Sequence, residues 1–230
     1  MKILFISLGC DKNLADSEEM LGLLTGSGHE IVDSEEEADA IVINTCCFIH
    51  DAKEESVNTI LEMAEYKKTG SCKALIVTGC MAQRYKEEIT QEIPEVDAVL
   101  GTTSYGDIVK ALNEAQAGNV FQEFRDINEL PEDSGRRVLT TGGHFGYLKI
   151  AEGCDKHCTY CIIPSLRGRF RSVPEERLLA QAEYMASQGV KELILVAQET
   201  TVYGTDLYGK KTLHILLKKL CQIKGIRWIR

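Results

Sequence analysis

The sequence predicts an α/β protein with a doubly wound, flavodoxin-like parallel sheet domain over residues 1–118, a linker over 119–146, and the opening of a (β/α) barrel over 147–230. Two observations carry this prediction. Short apolar runs alternate with helical periodicity on both sides of the linker, and the linker itself loses that periodicity. Alternating strands and helices are typical of parallel sheets, because a parallel connection needs a crossover that is usually a helix.

The first domain contains four short apolar runs that predict strands over residues 3–8, 40–43, 74–78 and 96–100. Residues 51–68 predict a helix between two of them. Its expected buried face has the spacing i, i+3, i+4, i+7 and consists of Val57, Ile60, Leu61 and Ala64. Residues 104–117 predict another helix, with Ser104 as its N-cap.

The linker collects Asp, Glu, Pro and Gly, including the pair Gly142-Gly143, and therefore predicts a connection with little structure of its own. The second domain then has the order βαβαβ, over residues 147–151, 174–187, 192–197, 213–221 and 226–229. A parallel sheet that stops on an incomplete third strand leaves an apolar edge uncovered. We therefore expect the chain to be part of a longer protein.

The composition is that of a globular protein, with 44% hydrophobic residues. No run approaches the length of about 18 apolar residues that a membrane span needs, and the run over 3–8 is too short for a signal peptide. We therefore expect a cytoplasmic protein with no membrane partner. In a reducing compartment, nine cysteines favour metal binding or catalysis over structural disulfides.

Charge is distributed unevenly along the chain. Residues 1–118 contain 9 Lys and Arg against 22 Asp and Glu, and residues 119–230 contain 17 against 13, so the two parts carry net charges of −13 and +4. An acidic first part is a poor match for a nucleic-acid backbone and a plausible match for a basic protein. A merely solvated acidic surface explains the same charge.

Three cysteines within eight residues form a CxxxCxxC pattern directly after a predicted strand, and we call Cys154, Cys158 and Cys161 the loop triad. One loop with this spacing can surround a single metal centre. Three thiolates on a four-iron cluster leave one iron free for an exogenous ligand. The alternative is a zinc site, in which His157 supplies the fourth ligand.

A second group of cysteines is dispersed through the first domain, and we call Cys10, Cys46 and Cys80 the edge triad. Each follows the carboxyl end of a predicted strand. Because these ends share one edge of a parallel sheet, we expect the three thiols to converge on one metal centre. Cys47 leaves the assignment at Cys46 open, since successive side chains diverge, and small buried cysteines with no ligand role are the other possibility.

Four blocks of sequence, over residues 7–13, 44–49, 77–80 and 151–171, resemble a known family in the same order. The CxxxCxxC loop resembles that of radical S-adenosylmethionine (SAM) enzymes, and the first domain resembles the N-terminal domain of methylthiotransferases. The resemblance implies that residues 147–230 begin a radical SAM (β/α) partial TIM barrel. Cys72, in a Gly-Ser turn, and Cys221, on the apolar face of a predicted helix, do not follow the end of a predicted strand and are expected to be structural.

Residues 8–14, 161–168 and 196–201 resemble the RimO-type branch, which adds a methylthio group to the β carbon of an aspartate in the twelfth small-subunit ribosomal protein. The alternative is the MiaB-type branch, which modifies C2 of a tRNA adenosine. Three positions depart from the RimO pattern: Asp11 stands where Pro is common, Cys47 where Gly is common and Glu199 where Asp is common. A non-enzymatic iron-sulfur or zinc scaffold is an alternative of another class.

The resemblance also implies cofactors and partners. The loop triad would hold a 4Fe-4S cluster that binds SAM and reduces it to a 5′-deoxyadenosyl radical, which abstracts the substrate hydrogen. The edge triad would hold a second 4Fe-4S cluster whose open iron carries the sulfur donor, while another SAM supplies the methyl group. A ribosomal protein substrate, or a tRNA, and a reductant protein are the implied partners.

Two further residues are candidate SAM contacts. Tyr160 resembles the aromatic residue that lies beside the adenine in radical SAM loops, with plain packing as the alternative. Gln198 follows the second predicted barrel strand, where carboxyl ends carry functional groups. Downstream of the loop triad, either SAM contacts or a solvated basic loop would explain Arg167, Arg169 and Arg171.

Overall fold

The first unit is built on a parallel sheet. The structure is a computed structural model that describes residues 1–132, 135 and 137–230, and these divide into two units, Met1–Ile127 and Asn128–Arg230. The strands described in the first unit are β1 Lys2–Ser7, β2 Glu30–Val32, β3 Ala40–Thr45, β4 Ala74–Gly79, β5 Ala98–Leu100 and β6 Phe121–Glu123. The helices are α1 Asp11–Gly26, α2 His50–Thr69, α3 Cys80–Arg84, α4 Lys86–Glu92 and α5 Ile108–Gln116, the last preceded by a 3₁₀ turn, Tyr105–Asp107.

The strand order is β2-β1-β3-β4-β5-β6, and every pairing is parallel. Both central strands, β3 and β4, are buried along their whole length, because parallel sheets are covered by helices on both faces. On one face α1 and α5 pack against the sheet through an apolar core that includes Met20, Leu24, Ile108 and Leu112. This arrangement confirms the predicted flavodoxin-like fold.

Local details differ from the sequence predictions. The short edge strands β2 and β6 are missed, since three residues give too little periodicity to identify. The buried face of α2 consists of Ser56, Ile60, Met63 and Ala64, while Leu61 is 47% exposed. Ser104 occupies the N-cap position of the 3₁₀ turn before α5, but its side chain makes no capping hydrogen bond, and its Oγ instead accepts one from the backbone N–H of Arg125 at 2.9 Å.

The second unit has a parallel sheet in the order β11-β10-β7, formed by β7 Phe145–Lys149, β10 Glu192–Val196 and β11 Trp228–Ile229. A short antiparallel pair joins β8 Ala151–Glu152 to β9 Arg171–Ser172. The helices are α6 Ile163–Arg167, α7 Glu175–Ser187, α8 Thr205–Tyr208 and α9 Leu213–Leu220. The strand and helix order matches the predicted opening of a barrel.

Residues 119–146 are not a structureless connection in their described part. β6 belongs to the first sheet, and the division between the units falls at Ile127 and Asn128. Further on, Leu130 and Leu139 pack against the core of the second unit, and the Arg137 side chain donates a 2.7 Å hydrogen bond to the carbonyl of Tyr147. The expectation for residues 133, 134 and 136 lies outside the described residues. The turn-forming composition of this segment does not predict these contacts, because they depend on tertiary packing.

Two other cysteines lie away from both triads. Cys72 is buried, and its thiol donates to the carbonyl of Ala74 at 3.3 Å, as expected of a structural residue. Cys221 is exposed at the end of α9 rather than on its apolar face, which corrects the prediction. No helix in the described ranges is both long and apolar enough to cross a membrane.

Candidate functional site

The edge triad lies at one edge of the first sheet. Cys10 follows β1 and immediately precedes α1, Cys46 directly follows β3, and Cys80 directly follows β4. These three strands are neighbours, and their pairing continues through Ser7 with Asn44 and Asn44 with Thr78. Strands β2 and β3 lie on opposite sides of β1, so Cys10 and Cys46 flank the point where the strand order reverses, which is where open α/β sheets bind ligands.

Glycines permit the close approach of these strand ends. Gly9 and Gly79 each precede a cysteine of the edge triad, and both have a φ of +93°. A Cβ on Gly9 would lie 2.7 Å from the Cβ of Cys46, and a Cβ on Gly79 would lie 2.3 Å from Asn44 Oδ1. The Gly-Cys dipeptide after a strand is therefore a sequence signal for this site.

Gly79→Ala is expected to lower the free energy of unfolding by about 3 kcal/mol or more, because the new Cβ combines a left-handed backbone with a clash. Gly118→Ala is the matched control, since Gly118 has a φ of +79° with open space around it. The control should lose only about 1 kcal/mol. Urea unfolding of both cluster-free variants measures the difference, and equal losses would contradict the close-approach argument.

Ser56 on α2 holds Cys46 in place. Its hydroxyl accepts a hydrogen bond from the N–H of Cys46 at 3.0 Å and donates one to the carbonyl of the same residue at 2.8 Å. Ser56 is fully buried. Its position, ten residues beyond Cys46 on a helix, gives no sequence signal of this contact.

Cys46 and Cys47 face different surroundings. The Sγ of Cys46 lies 3.0 Å from the position that a Cβ on Gly9 would take. It therefore faces the loop of residues 8–10 that follows β1, which we call the β1 loop. The thiol of Cys47 instead donates to the backbone carbonyl of Cys80 at 3.3 Å. Burial raises the pKa of Cys47 to about 11, so this thiol stays protonated at neutral pH.

The loop triad follows β8 in the second unit. Cys158 is exposed and the other two cysteines are half-buried. The N–H of Cys154 donates to the carbonyl of Gly168 at 3.1 Å, and Asp155 accepts a hydrogen bond from the N–H of Phe170 at 3.0 Å. Gly153 permits this contact between two backbone segments, because it has a φ of +70° and a Cβ there would lie 2.0 Å from the carbonyl oxygen of Arg169.

A buried charge cluster lies at the base of this loop. Glu152 Oε1 is 2.6 Å from Lys149 Nζ and 3.1 Å from Arg167 Nη1, and all three side chains are less than 10% exposed. Burial raises the pKa of Glu152, but the two cations outweigh it and the pKa is lowered. Arg167 is therefore part of a buried ion-pair network, and the expectation of a solvated loop is wrong for this residue.

The loop triad is also tied to the segment after β10. Lys156, between the first two cysteines, forms an ion pair with Glu199. Hydrogen bonds from Lys156 and then Thr201 lower the pKa of Glu199 to about 2, so its carboxylate is charged at neutral pH. The neighbouring Gln198 has both Oε1 and Nε2 inaccessible to solvent, and neither atom has a hydrogen-bond partner among the described residues.

The donor sets fit iron-sulfur clusters by their chemistry, because cysteine thiolates are the ligands that such clusters take. Among residues 1–132, 135 and 137–230, no three Cys, His, Asp or Glu side chains converge closely enough to share a single ion. A four-iron cluster does not need such convergence, since each thiolate binds a different iron. The unpartnered carboxamide of Gln198 and the 86% exposed ring of Tyr160 are further groups available to a ligand beside the loop triad.

Comparison with known proteins gives the same division of the chain. Residues 2–101 match uncharacterized protein family UPF0004, and residues 148–229 match the radical SAM superfamily. Among solved structures, the chain is similar to the cobalamin-dependent SAM radical enzyme OxsB (TM-score 0.57, 16% identity, 99% of this chain and 38% of that chain). It is also similar to the radical SAM methyltransferase TsrM from Kitasatospora setae (TM-score 0.60, 11% identity, 99% and 53%).

Curated relatives are more similar in sequence. The ribosomal protein uS12 methylthiotransferase RimO of Lachnoclostridium phytofermentans is 66% identical over all 230 residues, which are 52% of that protein. The protein of the same name from Clostridium botulinum is 52% identical over 100% of this chain and 51% of its own length. The chain thus spans about half the length of the curated relatives it matches.

The CxxxCxxC loop thus lies in residues that match the radical SAM superfamily, and a flavodoxin-like parallel sheet domain precedes them in the sequence. Over all 230 residues the chain is similar to the RimO proteins, which are named ribosomal protein uS12 methylthiotransferases.

Proposed function

We propose that the protein is a radical SAM methylthiotransferase that adds a methylthio group to the β carbon of an aspartate in a small-subunit ribosomal protein. The observation that carries this proposal is the presence of two cysteine triads at strand ends, one on the first sheet and one in the barrel unit. One cluster suffices to generate a radical, and the second cluster would carry the sulfur that is transferred. The similarity to proteins named RimO supports the ribosomal protein substrate.

In this function the loop triad and the edge triad each hold one 4Fe-4S cluster, and SAM is the cosubstrate. When bound, the clusters supply the electron that cleaves SAM and the iron that carries sulfur. The chain's own residues fix and shield these groups. In this proposal the carboxamide of Gln198 hydrogen-bonds SAM and the ring of Tyr160 stacks on its adenine, which is supported by the lack of a described partner for Gln198 and by the exposure of the Tyr160 ring.

The test is to incubate the anaerobically reconstituted protein with SAM, sulfide as the sulfur donor, a reductant protein, and either the ribosomal protein or tRNA. The expected result is a mass increase of one methylthio group on an aspartate of the ribosomal protein, with unchanged tRNA. Modified tRNA would instead support the alternative substrate, and no sulfur gain on either would contradict the proposal.

Because the substrate is part of the ribosome, we infer that the protein acts in the cytoplasm, without a membrane partner.

Cys46, rather than Cys47, is the proposed ligand of the edge triad. The Sγ of Cys46 faces the loop that carries Cys10, whereas the thiol of Cys47 is directed to the backbone carbonyl of Cys80. Cys46→Ala is therefore expected to lose the edge cluster, about four irons per chain. Cys47→Ala is the control and should keep it. Iron analysis with Mössbauer spectroscopy measures both variants, and loss of iron in Cys47→Ala alone would reverse the assignment.

A further inference from the structure

We propose that Asn13 is a positioning residue that fixes the relative placement of the edge triad. Its side chain is fully buried in the first turn of α1 and contacts the chain segments at the ends of β1, β3 and β4. Nδ2 donates to the carbonyl of Leu8 at 3.0 Å, just before Gly9-Cys10, and to the carbonyl of Thr45 at 2.9 Å, just before Cys46. Oδ1 accepts a contact from the thiol of Cys80 at 3.8 Å.

A carboxamide is suited to this task because it has two N–H donors and an acceptor oxygen on one rigid plane. The two N–H donors bond to carbonyls at the ends of two different strands, β1 and β3. The single backbone N–H of a residue could not bond to both. A carboxylate of the same shape has no donor at neutral pH. The side chain therefore links parts of the chain that are 32 residues apart in sequence.

Asn13 is itself held rigidly. Its backbone carbonyl accepts hydrogen bonds from Asn44 Nδ2 and from the hydroxyl of Ser17, both at 2.9 Å. Asn44 Nδ2 also donates to Ser17 Oγ at 2.9 Å. These bonds hold the backbone of Asn13 before any cluster binds, and the two bonds from Nδ2 orient the carboxamide, which is how a positioning residue sets the geometry of the groups it contacts.

The inference deepens the proposed function and rests on it only for the identity of the cluster. Asn13 contacts one thiol and two carbonyls, so its part is to hold the loops from which the thiols project. When Cys80 loses its proton to become a ligand, the contact with Oδ1 loses its donor, while both hydrogen bonds from Nδ2 to the loops remain. The positioning role therefore lies in Nδ2.

The test uses Asn13→Asp, which keeps the shape of the side chain and replaces Nδ2 by oxygen. The cluster-free protein is treated anaerobically with iodoacetamide, and alkylation of each cysteine is followed by mass spectrometry. Cys46 and Cys80 are expected to react on the order of tenfold faster than in the unchanged protein, because buried carbonyls lose their donor and the loops open more often. Cys72, buried in the same unit, reports global unfolding and should keep its rate.

Asn113→Asp makes the same chemical change on the exposed face of α5 and should leave all rates unchanged. After reconstitution, Asn13→Asp should show a changed Mössbauer spectrum or loss of the edge cluster, with the loop-triad cluster intact as internal reference. Unchanged rates at Cys46 and Cys80 would overturn the inference, as would an equal acceleration at Cys72. Alkylation is measured without a cluster, so its result does not depend on whether the protein carries out the proposed methylthiolation. Failure of one proposal can therefore be told apart from failure of the other.

Discussion

Replacing the three cysteines of the loop triad by Ala is expected to abolish reductive cleavage of SAM and to remove about half of roughly eight irons per chain. The physical reason is that Cys154, Cys158 and Cys161 lie in one loop and can bind one cluster. The described part of the second unit contains no other set of three cysteines that could replace them. The product 5′-deoxyadenosine should fall below detection. Anaerobic iron analysis and chromatography of the SAM products measure both effects.

The matched control replaces the edge triad by Ala. It should also remove about half of the iron, yet it should leave SAM cleavage in place while methylthiolation is lost. The two triple variants thus separate radical formation from sulfur insertion. SAM cleavage that survives loss of the loop triad, or disappears with the edge triad alone, would contradict the division of roles.

Glu152→Gln is expected to destabilise the second unit by about 3–5 kcal/mol, the cost of removing one partner from a buried ion-pair network. Lys149 and Arg167 would remain 8% and 3% exposed without the carboxylate that they share. For a unit of this size each kcal/mol lowers the melting temperature by about 4–8 °C, so a decrease of at least 12 °C or so follows. Thermal unfolding followed by fluorescence of Trp228, the single tryptophan, reports on this unit.

Glu183→Gln on the exposed surface of α7 is the control for Glu152→Gln, and it should change stability by less than about 0.5 kcal/mol. A loss below about 1 kcal/mol in Glu152→Gln would mean that the cluster does not stabilise the base of the loop. Since Glu152 lies two residues before Cys154, the same variant should also load less iron at the loop triad. Iron content measured below the melting temperature separates this local effect from unfolding.

Strand and helix order could be predicted because it depends on local patterns. The runs at the start of β3 and β4 are apolar over residues 40–43 and 74–77, which follows from burial on both faces, and the ends of these strands lead to Cys46 and Cys80 at one edge. The edge strand β6 carries no such pattern, and it was assigned to the linker. Its place in the sheet depends on pairing with β5, a contact that sequence periodicity does not encode.

The site residues divide in the same way. Cysteine spacing identifies the loop triad, and the position of each cysteine after a predicted strand identifies the edge triad, because the strand ends of a parallel sheet share one edge. The residues that hold them were not identified. Ser56 and Asn13 act through hydrogen bonds to backbone groups, and Arg167 acts through a buried ion pair, so their roles depend on which segments lie beside them.

The sequence by itself thus determined the class of fold, the positions of the two triads and the similarity to the RimO proteins. Only the tertiary structure decided that Cys46 faces the β1 loop while Cys47 hydrogen-bonds Cys80, and that Glu152 joins Lys149 and Arg167 beneath the loop triad. The reason is physical. Chain order and hydrophobic period fix which strand ends meet, but the direction of a side chain and its partner are set by packing between segments that are distant in sequence.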